Sequence, residues 1–176
     1  MNVEEILQKL KDKFPDSEFN LDNELPVEPF IIVNPLEIHT ISEFLRDDES
    51  LLFDSLMNLS GVDDNNAQKV NDEEGNEKFE GRTLSVYYHL HSMKLGHKIA
   101  LRVSTPIEKP EVESVEPIWK CADWHEREAY DMYGLIFLNH PNLERILMPY
   151  DWEEGSYPLR KDFETPEFYN GMKIPY

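Results

Sequence analysis

The sequence predicts an α+β fold, in which helices pack on a mixed β-sheet and a long extended C-terminal tail follows. Apolar residues recur at helical spacing near the N-terminus and again just before Gly134. Between these stretches, β-branched or alternating apolar residues are typical of strands. The last part of the chain is rich in aromatics and prolines but has little periodicity. We therefore expect a single α+β domain over residues 1–140 and an extended, partner-binding tail over residues 141–176.

The start of the chain predicts a helix, a strand and a second helix in that order. Apolar residues from Val3 to Leu10 fall on one helical face, and this helix should end before Pro15. The β-branched run over residues 30–33 indicates a buried strand. Pro35 then occupies the first position of a second helix, which is its favoured place. The apolar residues of that helix are Ile38, Ile41, Phe44 and Leu45.

An acidic stretch interrupts the apolar pattern in the middle of the chain. Residues 51–59 are interpreted as the end of a helix that leads into a strand. The stretch over residues 63–80 has too few apolar residues to offset its ordering entropy, which predicts a mobile loop. A solvated insertion is favoured over a calcium site, because the spacing of the oxygen-bearing residues is not that of an EF-hand loop.

Residues 83–91 and 97–103 predict a β-hairpin joined by a short loop that contains glycine. His89 and His91 share one face of the first strand, and His97 could lie near them. Such a pattern can bind a metal, but no carboxylate or thiolate at a fixed spacing joins it. A polar outer face of the sheet is therefore the favoured interpretation.

A helix over about residues 121–133 begins the stretch that is densest in charged and aromatic residues, Trp124–Asp162. Gly134 follows its last periodic residue, where a left-handed residue usually ends a helix. The residues at i, i+3 and i+4 on its apolar face are Ala129, Met132 and Tyr133.

The charged residues of this helix have several possible roles. Asp123 and Glu126 have the spacing of a helix N-cap and its reciprocal partner. Glu126 also falls on or beside the apolar face, where a lone carboxylate is costly. Arg127 and Asp131 are four residues apart and can pair along the helix. A capping box with a solvated charged face is the plain alternative.

The segments around this helix are too short to fold alone. Ser114 can cap a short turn before it, and residues 135–138 predict a short strand after it. The apolar run over residues 146–148 stops at Pro149. We expect the aromatic tail after Asp162 to lie extended over a partner, held by its rings. The alternative is that this tail folds back on its own domain.

The composition excludes several classes of partner. The net charge is −19 and the pI about 4.6, so nucleic acid and anionic lipid are unfavourable partners and a basic protein surface is favoured. The single cysteine, Cys121, can form neither an internal disulfide nor an iron–sulfur site. No apolar run reaches the ~20 residues of a membrane helix, and the start of the chain lacks a hydrophobic signal core. We expect a cytoplasmic chain without direct membrane insertion.

The sequence contains no motif for catalysis. Glycine-rich nucleotide loops and C-x-x-C pairs are absent, and Cys121 has no context for a nucleophile. His125 and Glu126 begin like a zinc-protease helix, but Ala129 occupies the position of the second histidine. A carboxylate-rich metal site in a free-standing enzyme is a remaining alternative, although Arg127 competes for its carboxylates. That site would use Glu126, Glu128, Asp131 and His140.

An interface is the favoured interpretation of the same stretch. Although basic residues are scarce in this chain, Arg127, Arg145, Arg160 and Lys161 all lie here. Arginine suits partly buried pairs with carboxylates. We expect Arg145 or Arg160 to neutralise Glu126. Glu128 and Asp131 would then meet a neighbouring subunit.

Four sequence blocks in this stretch resemble a known family. The chain contains E-R-E-x-x-D-M-x-G over residues 126–134, H-P at 140–141, R-I-L at 145–147 and P-L-R-K-D at 158–162. In order and in kind they are similar to those of the complex I 30-kDa subunit family, to which the C-type subunit of bacterial NADH:quinone oxidoreductase belongs. Glu144 departs from the basic residue that the family often has there.

The resemblance implies a non-redox structural subunit in the hydrophilic arm of a proton-pumping complex. Such a subunit docks on the D-type subunit that helps to form the quinone site. NADH oxidation would use FMN and iron–sulfur clusters on partner subunits, with no cofactor, metal or catalytic residue on this chain. One copy per complex is expected, held at the cytoplasmic side of the bacterial inner membrane. The implied interface residues are Glu126, Arg127, Glu128, Asp131, His140, Arg145, Arg160 and Lys161.

Two alternatives remain open. The chain could be the homologous subunit of a ferredoxin- or F420-dependent quinone reductase or of a membrane-bound hydrogenase. It could also be the free-standing carboxylate-metal enzyme described above.

Overall fold

The computed structural model describes residues 1–23, 28–71, 77–169 and 171–173. Its helices are α1 (Val3–Lys13), α2 (Ile38–Asp47) and α3 (Ala122–Tyr133). Its longer strands are β3 (Ser55–Asp63), β6 (Thr83–His91) and β7 (Lys98–Pro106). Its shorter strands are β1 (Asn20–Asp22), β2 (Phe30–Ile32), β4 (Gln68–Asn71), β5 (Glu77–Glu80), β8 (Glu111–Glu113), β9 (Ile136–Leu138), β10 (Phe168–Tyr169) and β11 (Met172–Lys173).

A five-stranded mixed sheet in the order β1-β2-β7-β6-β3 forms the centre of the domain. The predicted hairpin is β6 and β7, which pair antiparallel from Thr83 opposite Pro106 to His91 opposite Lys98. β2 pairs with β7 in parallel, while β1 and β3 pair antiparallel with their neighbours. A separate parallel pair, β8 and β9, lies beside the sheet. The α+β class and the mixed sheet are thus confirmed.

One face of the sheet is buried in the core and the other is more open. Val86, Tyr88 and Leu101 are fully buried on the inner face. Side chains from all three helices join them in a single apolar cluster. Strand alternation places Tyr87 and His89 on the opposite face, where they are half-buried.

The first two helices form largely as their patterns predict. Asn2 caps α1 and forms a reciprocal capping box with Glu5, and Ile6 is buried on its inner face. α2 begins at Ile38, three residues later than predicted. Pro35 instead lies in the turn that precedes α2.

The structure differs from two expectations for the middle of the chain, and the mobility predicted for residues 63–80 stays a prediction. The expected loop over residues 63–80 contains the antiparallel pair β4 and β5 instead, while its residues 72–76 lie outside the described part. His97 does not join His89 and His91. Its ring is buried, with Nε2 2.7 Å from the carbonyl oxygen of Leu51, because His97 and His91 fall on opposite sides of the sheet.

The segment after β9 contains turns and no helix in its described residues, as the tail prediction expected. It is not free of the domain, however. Residues 144–163, called the strap below, contact α3 and the end of β3 through several hydrogen bonds. The strap, which lies within the tail predicted over residues 141–176, therefore packs on its own domain.

None of the helices in the described ranges has both the length and the apolar character needed to cross a bilayer.

Gly61 on β3 allows α3 to approach the sheet closely. A Cβ atom at this position would lie 2.8 Å from Cδ2 of Tyr133 and 3.2 Å from Cδ1 of Leu135. We predict that Gly61→Ala lowers the free energy of unfolding by about 1–3 kcal/mol, because the added methyl overpacks this contact. Urea denaturation of the purified chain measures it. Ser60→Ala, on the adjacent position and the other face of β3, is the matched control, and equal unfolding midpoints for the two variants would contradict the packing argument.

Candidate functional site

The stretch that the sequence singles out forms one structural unit, made of α3 and the strap that lies on it. α3 packs across β3, with Ala122, Ala129 and Met132 buried on its inner face. Gly134 ends the helix in a left-handed conformation with φ of 74°, as predicted. The predicted N-cap is wrong: Cys121 occupies the N-cap position and makes no side-chain capping bond, while Asp123 lies in the first turn.

Gly134 is also required for the strap to approach α3. A Cβ atom there would lie 2.6 Å from Cε2 of Tyr157 and 2.7 Å from a terminal nitrogen of Arg160. The same residue therefore ends the helix and leaves the space in which the second half of the strap packs. Any side chain at this position would be strained by its backbone conformation and would collide with the strap.

Asp131 holds the first half of the strap. Its carboxylate is fully buried and accepts hydrogen bonds from the backbone N–H groups of Ile146, Leu147 and Met148, at 3.1, 2.7 and 2.9 Å. Arg145 donates a fourth hydrogen bond to it at 3.1 Å. Charge-assisted bonds of this kind are the strong ones, so Asp131 fixes the path of the strap over α3.

The observed pairs correct the predicted arrangement of charges. Arg145 pairs with Asp131 and not with Glu126. Arg127 donates from Nε to the carbonyl oxygen of Glu144, so it does not pair with Asp131 along the helix. Asp131 is enclosed by its own chain and cannot meet a neighbouring subunit, because its partners lie in the strap.

Asp63 holds the second half of the strap. Its buried carboxylate binds Arg82 and accepts a hydrogen bond at 2.8 Å from the backbone N–H of Lys161. Burial alone would raise the pKa of Asp63, but the hydrogen bonds from Arg82, Lys161 and Asn65 lower it to about 2. Arg82 also pairs with Asp162 at 2.8 Å. Sequence reasoning missed Asp63 and Arg82, since Asp63 stood inside the predicted mobile loop.

Glu126 is buried without an arginine. Its carboxylate accepts a hydrogen bond from Oγ of Ser114 at 2.6 Å and from the backbone N–H of Val115 at 2.7 Å. Burial raises the pKa of Glu126 to about 8, although both hydrogen bonds act in the opposite direction. The burial of Glu126 was predicted; its neutralisation by Arg145 or Arg160 is wrong, because Arg145 binds Asp131 and Arg160 donates to the carbonyl oxygen of Tyr133.

His140 lies close to Glu126. Its Nε2 is 3.8 Å from Oε2 of Glu126 and 3.4 Å from Oδ1 of Asp123, and its side chain is fully buried. Nδ1 of His140 accepts the backbone N–H of Asn142, which leaves the ring proton on Nε2, toward the two carboxyl groups. His140 and Glu126 therefore belong to the interior that supports α3.

The structure does not bring together the four residues of the metal-site alternative. Glu126 and His140 come together, whereas Asp131 is bound to the strap and Glu128 is exposed on another side of the helix. Across the described ranges, no group of three histidine, cysteine, aspartate or glutamate side chains is placed to hold a metal ion.

The outer side of α3 and of the strap carries exposed apolar and aromatic groups. Trp124 is 62% exposed, Leu147 57% and Tyr150 fully exposed. The guanidinium of Arg127 lies over the Trp124 ring, 5.1 Å from its centre. We use the name α3–strap face for a set of exposed or half-buried residues on these two elements: Trp124, Arg127, Glu128, Leu147, Tyr150, Leu159 and Arg160.

The raised pKa of Glu126 predicts a pH dependence of stability. Between its usual value of 4.5 and about 8, the folded state binds more protons than the unfolded state. This contribution to stability is complete below pH 4.5 and is lost as pH rises through 8, with a slope of up to about 1.4 kcal/mol per pH unit. Glu126→Gln should remove that slope in urea denaturation across this interval. Glu128→Gln, at an exposed position of the same helix, should keep it, and parallel curves for wild type and Glu126→Gln would refute the assignment.

Loss of the Asp131 charge should release the strap. We predict that Asp131→Asn lowers the free energy of unfolding by about 3 kcal/mol, because the amide removes the charge opposite Arg145 and keeps only one of the two oxygens that Arg145 and the three backbone amides share. Trypsin should then cleave after Arg145 faster than in the wild type. Asp47→Asn, which removes the surface partner of Arg46, is the control and should leave both measurements near wild type. An unchanged cleavage rate in Asp131→Asn would contradict this role.

Comparison with known proteins identifies the family. Residues 31–169 match the family described as respiratory-chain NADH dehydrogenase, 30 Kd subunit. The chain is 43% identical over 169 residues to the C-type subunit of NADH-quinone oxidoreductase from Chloroherpeton thalassium, a match that covers 95% of this chain and 63% of that protein. It is 36% identical to the corresponding subunit from Chlorobium phaeobacteroides, with 95% and 92% covered. The chain thus spans less than two thirds of the first relative and nearly all of the second.

Two solved structures share the fold. One is a trypsin-resistant fragment of Nqo5, with a TM-score of 0.55 and 22% identity over 81% of this chain and all of that one. The other belongs to the membrane-bound sulfane sulfur reductase, an archaeal respiratory membrane complex, with a TM-score of 0.60 and 23% identity over 92% of this chain and 85% of that one. Together with the match over residues 31–169, the identities to the two C-type subunits show that this chain belongs to the 30-kDa subunit family of respiratory-chain NADH dehydrogenase.

Proposed function

We propose that this chain is a non-redox structural subunit in the hydrophilic arm of a proton-pumping NADH:quinone oxidoreductase. It docks through the α3–strap face on the D-type subunit that helps to form the quinone site. Electrons pass from NADH through FMN and iron–sulfur clusters to quinone on other subunits. One copy sits in each complex, at the cytoplasmic side of the bacterial inner membrane.

The main support for this proposal is the way in which the buried carboxylates of Asp63, Glu126 and Asp131 are bonded. The carboxylates of Asp131 and Asp63 accept hydrogen bonds from backbone amides of the strap. The carboxylate of Glu126 accepts them from Ser114 and Val115. These carboxylates therefore hold neighbouring segments of the chain in place. They do not converge on a cavity in which a substrate could react. Such an arrangement favours a scaffold over a reaction centre.

The α3–strap face has the composition of a permanent contact. Tryptophan, tyrosine and arginine dominate the binding energy of protein interfaces, and Trp124, Tyr150 and Arg127 are all present here. Tyr150 is fully exposed, which is unfavourable for an aromatic ring unless a partner covers it. A rigid strap also suits this role, since little ordering entropy remains to be lost on docking.

The likeness to a chain of an archaeal respiratory membrane complex supports a second candidate. The same fold could serve a ferredoxin- or F420-dependent quinone reductase or a membrane-bound hydrogenase, because the electron donor would bind to other subunits. The described part of the chain offers no residue that distinguishes these donors.

Purification of the tagged full-length chain from its own membranes in mild detergent tests the proposal. We expect it to bring down a complex that oxidises NADH and reduces quinone. A complex that accepts electrons only from ferredoxin or F420 would select the second candidate. A chain recovered alone from membranes that contain an intact NADH:quinone oxidoreductase would overturn both.

A substitution in the α3–strap face should separate assembly from chemistry. Trp124→Ala combined with Tyr150→Ala removes two exposed rings, so we expect less assembled complex but an NADH:quinone turnover per assembled complex near that of the wild type. Met93→Ala removes an exposed apolar side chain from the β6–β7 turn and should leave assembly unchanged. Full assembly of the double variant with lost turnover would place the chain in the chemistry instead.

A further inference from the structure

The six arginines of the chain fall into two groups. Four of them have a carboxylate partner within the chain: Arg46 with Asp47, Arg82 with Asp63 and Asp162, Arg102 with Asp64, and Arg145 with Asp131. For Arg127 and Arg160, no carboxylate of the described residues lies within 4.0 Å. This difference is unexpected in a chain with 36 acidic and 17 basic residues.

Arg127 and Arg160 are held in the same way. Each donates from Nε to a main-chain carbonyl oxygen, Arg127 to Glu144 at 3.2 Å and Arg160 to Tyr133 at 2.6 Å. Each guanidinium also lies over an aromatic ring, that of Trp124 at 5.1 Å and that of Tyr157 at 4.2 Å. The main-chain bond and the ring fix the plane of the guanidinium and leave its terminal nitrogens for another acceptor.

An arginine that is held in this way and is partly desolvated costs free energy unless an anion pairs with it. Arg160 is half-buried, and desolvation lowers the pKa of its guanidinium. A fixed guanidinium matches the two oxygens of a carboxylate, and less side-chain entropy is lost when it binds one. The remaining four arginines each pair with a carboxylate of this chain.

We propose that Arg127 and Arg160 are preformed receptors for two carboxylates, those of aspartate or glutamate side chains on the subunit that covers the α3–strap face. The inference rests on the proposed function and adds the local chemistry of the partner. That partner would present acidic groups to this overall acidic chain at two points, one beside the Trp124 ring and one beside the Tyr157 ring. Arg127 and Gly134, against which Arg160 lies, are two helical turns apart, or about 10 Å.

Lysine substitution and a zero-length cross-linker test this proposal in the assembled complex. Carbodiimide joins an amine to a carboxylate that touches it, so Arg127→Lys and Arg160→Lys convert each contact into an isopeptide bond that mass spectrometry can locate. Arg46→Lys is the matched control, because its neighbour Asp47 belongs to the same chain. We expect cross-links from positions 127 and 160 to aspartate or glutamate of another subunit, and from position 46 only within the chain.

Cross-links from both positions that stay within this chain, or none at all, in a fully assembled complex would overturn the proposal. The proposed function would survive that result, since assembly itself is observed in the same sample. If even the wild-type chain does not enter a complex, that result contradicts the proposed function itself.

Arginine footprinting of the unmodified wild type provides a second measurement that does not depend on the lysine variants. Phenylglyoxal should modify Arg127 and Arg160 several-fold less in the complex than in the isolated full-length chain, while Arg46 reacts equally in both. Equal modification of Arg127 and Arg160 in the two samples would overturn the proposal, whatever the lysine variants do.

Discussion

Hydrogen bonds from the strap backbone to two buried carboxylates are the constraint on which the rest of this structure depends. A segment without helix or sheet leaves its N–H groups in need of acceptors, and Asp131 supplies one for three consecutive residues. Asp63 supplies another at Lys161. Between these two points, Gly134 leaves room for Tyr157 and Arg160. These contacts hold both halves of the strap on its own domain.

The charged residues of α3, the strap and the end of β3 therefore have two different roles. The buried carboxylates of Asp63, Glu126 and Asp131 accept hydrogen bonds from main-chain, serine or arginine donors, and those of Asp63 and Asp131 hold the strap on its own domain. Arg127 and Arg160, each beside an aromatic ring, donate to main-chain carbonyl oxygens but have no carboxylate partner among the described residues, and we propose that they belong to a surface for assembly. The acidic net charge is thus a poor guide to the local chemistry of that surface, where the guanidinium groups of Arg127 and Arg160 lie over aromatic rings.

Sequence patterns predicted the features that depend on residues close together along the chain. The extents of α1, α3 and the β6–β7 hairpin, the left-handed Gly134 and the burial of Glu126 all follow from spacing along a few turns or strand residues. Partners that lie far apart in sequence were not predictable in this way. Asp63 and Lys161 are 98 positions apart, and Glu126 and Ser114 meet only because β8 and α3 fold together. The acidic composition after Asp63 also concealed that this one carboxylate is buried.

Hydrogen exchange on the isolated full-length chain tests most directly whether the strap is built by its own domain. We predict slow exchange at the amides of Ile146, Leu147, Met148 and Lys161, which are bound by Asp131 and Asp63, and fast exchange at the exposed residues Glu153 and Glu154. Uniformly fast exchange from residue 144 to residue 163 would contradict this prediction. The strap would then acquire its path only from a partner, and the buried carboxylates would not be its anchors.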